Sequence, residues 1–116
     1  MHFALTNEQN LVKETAKRFA EETIKPIARE LEQPENRQSF YKILKQLSEL
    51  GFMGMNIDEE FGGSNSGVIA FSVAITEIAK SCASVAVAMS VNNLVAEVLQ
   101  LIGSHKQKTK HIPALC

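Results

Sequence analysis

Apolar positions recur at helical spacing along almost the whole chain. Val12, Ala16, Phe19, Ala20, Ile24, Ile27, Ala28 and Leu31 mark one face of a first helix. Thr6 and Gln9 form a capping box at its start, the hydroxyl accepting from first-turn amides while the glutamine reaches back. Pro26 falls inside the pattern and must remove a hydrogen bond, yet the apolar phase continues on both sides, which predicts one long bent helix over about residues 7–32. Gln33-Pro34-Glu35-Asn36 reads as a turn. A second helix follows, with Phe40, Ile43, Leu44, Leu47 and Leu50 on one side and Lys42, Lys45 and Glu49 on the other, and Gly51 suits its left-handed C-terminal cap.

Past a Gly62–Gly67 loop, Ile69, Ala70, Val73, Ala74, Ile75 and Ile78 give a third helix, with Glu77 and Lys80 expected in solvent. Serines and Cys82 break the pattern and cap a fourth helix over about residues 84–101, roughly 27 Å long at the usual rise per residue. Its Val85, Val87, Met89, Val91, Val95, Val98 and Leu99 point in every direction, which predicts a central, buried helix. Gly103 ends it. Ser104 with Gln107 makes a second capping box, Lys106, Lys108 and Lys110 form a polar face, and Pro113 is expected to stop the last helix. No strand pattern survives beside these. The sequence predicts an all-α fold, an antiparallel bundle of about five helices in a single domain over residues 1–116.

Composition narrows the function classes. A net charge of −1 with scattered basic residues gives no footprint for nucleic acid. Two cysteines, Cys82 and Cys116, are too few for a disulfide framework and match no zinc spacing, which suits a reducing compartment. The stretch Met1-His2-Phe3-Ala4-Leu5 shows no signal-peptide pattern, so a cytoplasmic protein is expected. Ala83–Ile102 is apolar enough to raise a membrane span, but Ser84, Ser90, Asn92, Asn93, Glu97 and Gln100 interrupt it and no aromatic belt flanks it, so a buried helix is expected instead.

Few residues suggest chemistry. Glu59 and Glu60 are adjacent in a turn and cannot converge on one substrate atom, so they read as solvated carboxylates. The Gly62–Gly67 loop lacks the preceding strand and the Lys-Ser/Thr ending of a phosphate loop and reads as a flexible turn. His105 and His111 lie six apart on different faces, His2 is remote from both, and no metal pair results. Cys82 has no evident activator and reads as an inert core thiol. Asn92 and Asn93 stand out, because an unpaired interior amide costs about 1–3 kcal/mol. Either they bond to a neighbouring segment, the ordinary fate of buried polar groups, or they line a cavity.

Several motifs, in order, resemble the N-terminal domain of acyl-CoA dehydrogenases. Phe3-Ala4-Leu5-Thr6-Asn7-Glu8-Gln9 is similar to the family's opening, and Phe19-Ala20 through Ile24-Lys25-Pro26-Ile27-Ala28 to its "Phe-Ala-x-x-x-Ile-x-Pro" helix. Glu49-Leu50-Gly51-Phe52-Met53-Gly54-Met55-Asn56-Ile57-Asp58-Glu59-Glu60-Phe61-Gly62-Gly63 is similar to its glycine link, with Asp58 where the family usually has proline. Thr76-Glu77-Ile78-Ala79, Met89-Ser90-Val91-Asn92-Asn93 and Gly103-Ser104-x-x-Gln107-Lys108 complete the series.

The resemblance implies that the fourth helix borders an acyl pocket, with Ala86, Val87, Ser90, Val91 and Leu94 on the stripe that forms one wall. Taken singly, each reads more readily as ordinary core. It further implies a full-length enzyme that uses FAD to convert an acyl-CoA to its trans-2-enoyl-CoA and passes electrons to an electron-transfer flavoprotein. In the family the catalytic glutamate and most flavin contacts come from a middle β-domain and a C-terminal helical domain. The 116-residue chain is therefore expected to lack both domains, to bind no flavin alone and to be inactive alone. A truncated remnant acting as an interaction module or homo-oligomer, and the same domain of an acyl-CoA oxidase, are the alternatives.

Overall fold

The computed structural model describes residues 2–116; Met1, part of the stretch read above for a leader, lies outside them. The first helix begins as α1 (Asn7–Phe19), and Thr6 and Gln9 exchange the two bonds of the expected capping box. It then widens into a π-turn at Ala20–Ile24, tightens to a 3₁₀ turn at Lys25–Ile27, and resumes as α2 (Ala28–Leu31). In the π-turn the Lys25 amide donates to the Ala20 carbonyl, a five-residue step that slips the register just ahead of Pro26. The missing proline N–H is thus absorbed without ending the helix, and Ala16 ahead of the slip, Ala20 and Ile24 within it and Leu31 beyond it are all buried.

A 3₁₀ turn at Pro34–Asn36 leads into α3 (Arg37–Glu49), which Gly51 closes at φ +80°, a conformation that only glycine adopts without strain. Residues 52–58 form an irregular link, followed by a 3₁₀ turn at Glu59–Phe61. Then come α4 (Val68–Ser81), α5 (Ala83–Ile102) and α6 (His105–Leu115), the last opening on the Ser104–Gln107 capping box. No strand occurs among the described residues, and the chain is an all-helical bundle as expected.

Two apolar cores hold it together. The larger joins α1, α3, α4 and the N-terminal half of α5, where Ala16 and Ala20 meet the face of α4 that carries Ala70 and Ala74. Small side chains let these two helices approach closely. The smaller core packs Ile57, Ala96 and Ile112, with Phe61, Leu99, Leu115 and Cys116 around them, and joins the link to α5 and α6.

Four expectations need correction. The fourth helix is not central: Val87, Val91, Leu94, Val95, Val98, Leu101 and Ile102 of α5 are exposed. The domain measures 42 × 40 × 17 Å, and since packed helices lie about 8–10 Å apart, that thickness holds two layers, whereas a helix buried all round needs three. Glu77 is not solvated but buried at 4% exposure, with the Lys80 ammonium reaching back to it at 3.1 Å from the next turn. Pro113 does not stop the last helix, which runs on to Leu115. Thr109, whose carbonyl loses its donor, is exposed and can be served by water. The Gly62–Gly67 loop is not free either. The Ser64, Asn65 and Ser66 amides donate to the carbonyls of Gly54, Ile57 and Met55, and the Ser64 hydroxyl donates to Gly51.

Candidate functional site

α5 has two unlike faces, and its sequence sets both. Asn92, Asn93, Glu97 and Gln100 fall within one stripe of the helix, turned toward the link. The Asn93 carboxamide, 1% exposed, accepts from the Met55 amide and donates to the carbonyls of Phe52 and Met89, each at 2.9 Å. Asn92 donates to the carbonyls of Met53 at 2.9 Å and Leu115 at 2.7 Å. Glu97 accepts from the Asn56 side chain at 2.7 Å, and Gln100 accepts from the Asp58 amide at 2.8 Å. An irregular segment cannot satisfy its own backbone groups, and here a helix supplies the missing partners from its side chains. Of the two readings of the asparagine pair, hydrogen bonding to a neighbouring segment is the one observed.

The link is shaped from its other side by close approach. A Cβ on Gly63 would overlap the backbone of Ile57, and one on Gly54 would overlap the Cys116 thiol. Burial pushes the pKa of that thiol above its ordinary value, and Cys82 is a buried free thiol. The Asn56 Oδ1 is a buried acceptor with no partner among the described residues, beside a recess of about 220 Å³ lined by Asn65, Val68, Glu97, Gln100 and Leu101 among others.

The opposite face is aliphatic. Of the five residues read from sequence as a wall, Val87, Val91 and Leu94 are 61%, 51% and 57% exposed, and Ser90 is half-buried between them. Ala86 departs from the group, since its methyl packs into the larger core. The Ser90 hydroxyl makes no hydrogen bond among the described residues, whereas Thr15, Thr76 and Thr109 each bond back to the carbonyl four residues earlier in their helices. Val95, Val98, Leu101 and Ile102 extend the face beyond the stripe; sequence reasoning assigned Val95 and Val98 to the core because nothing local marks which side of a helix is left uncovered. Glu97, the only acid on α5, is held by Asn56. Glu59 and Glu60 are exposed, and no cluster of three metal-ligating side chains exists among the described residues. α5 is also the one helix there long and apolar enough to cross a bilayer by length and composition, although its polar stripe is engaged by the link.

Residues 6–116 match the family described as acyl-CoA dehydrogenase, N-terminal domain. The chain belongs to the acyl-CoA dehydrogenase family. A short-chain specific acyl-CoA dehydrogenase of Clostridium acetobutylicum is 33% identical over 116 residues, covering 99% of this chain and 30% of the relative. The solved structure of butyryl-CoA dehydrogenase from Megasphaera elsdenii superposes with a TM-score of 0.84 at 29% identity, covering 99% of this chain and 30% of that one. A chain in a structure of the electron transferring flavoprotein of Acidaminococcus fermentans superposes with a TM-score of 0.87 at 27% identity and the same coverage. The chain thus spans about 30% of the length of the curated relative it matches.

Proposed function

We propose that this chain is the N-terminal domain of an FAD-dependent acyl-CoA dehydrogenase and that the uncovered face of α5 forms one wall of its acyl pocket. The observation that carries the reading is that Val87, Val91 and Leu94 lie together, aliphatic and uncovered, with the half-buried Ser90 between them, on a helix whose other side is fixed by hydrogen bonds. Such a face can take up the methylene groups of an acyl chain, at about 0.8 kcal/mol for each CH₂ buried, and offers them nothing polar except one hydroxyl.

The residues do not make a flavin cradle. The polar side chains of α5 are turned to the link, and its exposed face carries no group of donors for a ring system or a pyrophosphate. The flavin would be held by parts of a longer polypeptide, as would the base that removes the α-proton, because no carboxylate stands free on α5. Acyl-CoA and an electron-transfer flavoprotein are the partners proposed for that longer enzyme, and the isolated chain is proposed to be inactive and flavin-free.

The test is the intact mass of the native gene product, followed by substrate profiling. A mass several times 12.8 kDa, with Val91→Trp raising KM for longer acyl-CoAs more than for short ones, supports the reading. A long product whose chain-length profile ignores Val91→Trp would overturn the wall. A product ending near 12.8 kDa would favour the second reading, a helical module that pairs through the same uncovered face, and sedimentation would then show a dimer.

A further inference from the structure

Asn92 occupies a junction unlike that of the other polar residues of α5. Asn93, Glu97 and Gln100 bond only to the link or to α5 itself. The Asn92 NH₂ group instead divides its two donors between the link, at Met53 O, and the last turn of α6, at Leu115 O. Around that point the end of α6 is gripped on two further sides. The Ser48 hydroxyl of α3 donates to the Cys116 carbonyl, and the Cys116 thiol occupies the space that Gly54 leaves by having no side chain. On α5, Asn92 follows directly after Val91 and lies two residues before Leu94, both on the uncovered face.

We propose that Asn92 is a latch joining the end of α6 and the link to α5, so that a displacement of the uncovered face is transmitted to Leu115 and Cys116. The reason is geometric. Successive helix positions differ by about 100° around the axis, so a rotation or shift of α5 that moves Val91 must carry Asn92 with it. Both acceptor carbonyls sit in a partly buried seam and lose their partner together if the amide moves away. Asn92 is thus a positioning residue, and its role stands whether or not the uncovered face receives an acyl chain.

The two free cysteines make the latch measurable. Cys116 reports on the end of α6 and Cys82, buried where α4 meets α5, reports on the larger core. In the 116-residue protein at pH 8, labelling by a thiol-specific disulfide reagent is followed at each cysteine by peptide mass. Asn92→Ala is expected to speed Cys116 labelling by about tenfold, the effect of losing hydrogen bonds in a partly dry seam, and to leave Cys82 unchanged. Equal acceleration at both cysteines would make Asn92 a part of the global fold and overturn the latch. No acceleration at either would overturn it as well. Should Asn92→Ala fail to fold, hydrogen exchange on the unsubstituted protein decides the matter. The amides of Ala114–Cys116 and those of Met55 and Ile57 are expected to open with one common exchange protection, and protections differing by tenfold or more would overturn the proposal.

Discussion

The two faces of α5 reverse the ordinary assignment of side chains. The face that carries asparagine, glutamate and glutamine is the packed one, and much of the valine and leucine is in the open. The difference teaches that burial here follows from which backbone needs partners. The link has carbonyls and amides that no regular element satisfies, and a carboxamide can serve both. An aliphatic side chain can only exclude water, and it does so once something lies on it.

The strongest challenge to this contrast is Asn93→Ala. It would leave the Met55 amide and the Phe52 carbonyl unpaired in the interior, and urea denaturation should show a loss of about 3 kcal/mol. A loss under about 1 kcal/mol would mean that water or a shifted link replaces the carboxamide. Next comes Gly63→Ala, which forces the loop away from the Ile57 backbone and should cost about 2 kcal/mol in the same assay. Removing the α1 cap with Thr6→Ala, far from either face, should cost about 1 kcal/mol and calibrates an ordinary surface hydrogen bond. Smallest of all is Val91→Ser on the uncovered face, expected within about 0.5 kcal/mol of the parent while reducing the binding of a hydrophobic dye. A large loss of stability there would show that the valine is covered in solution and would erase the contrast.

Much of this architecture was legible in the sequence wherever it depends on short-range chemistry. Thr6 with Gln9 and Ser104 with Gln107 announce their capping boxes, Gly51 its positive φ, and Pro26 a disturbance inside a continuing helix. The form of that disturbance, a π-turn, was not legible, because several backbone adjustments can absorb one missing donor. Glu77 and Pro113 were misread for a related reason. A Lys at the right spacing covers a carboxylate, and an exposed carbonyl tolerates a proline, but both facts depend on where solvent lies. The site was half legible. Asn92 and Asn93 were conspicuous as polar groups in an apolar helix, yet their partners in the link are 38 to 41 residues away in three of their contacts, and sequence pattern carries no information at that range. Spacing showed that Ala86, Val87, Ser90, Val91 and Leu94 share a stripe and the family resemblance alone suggested a wall, while the exposure of that stripe and the inward turn of Ala86 required the 17 Å thickness of the domain to be known.

That thickness has a consequence in time. In a polypeptide of the relatives' length, of which this chain would be 30%, about 270 residues remain to be made after Cys116, or roughly 15 to 55 seconds of synthesis at about 5–20 residues per second. Throughout that interval a slab two helices thick would stand at the ribosome with its valines bare, already folded and not yet finished. Until the remainder covers it, that surface would be open to association with its neighbours.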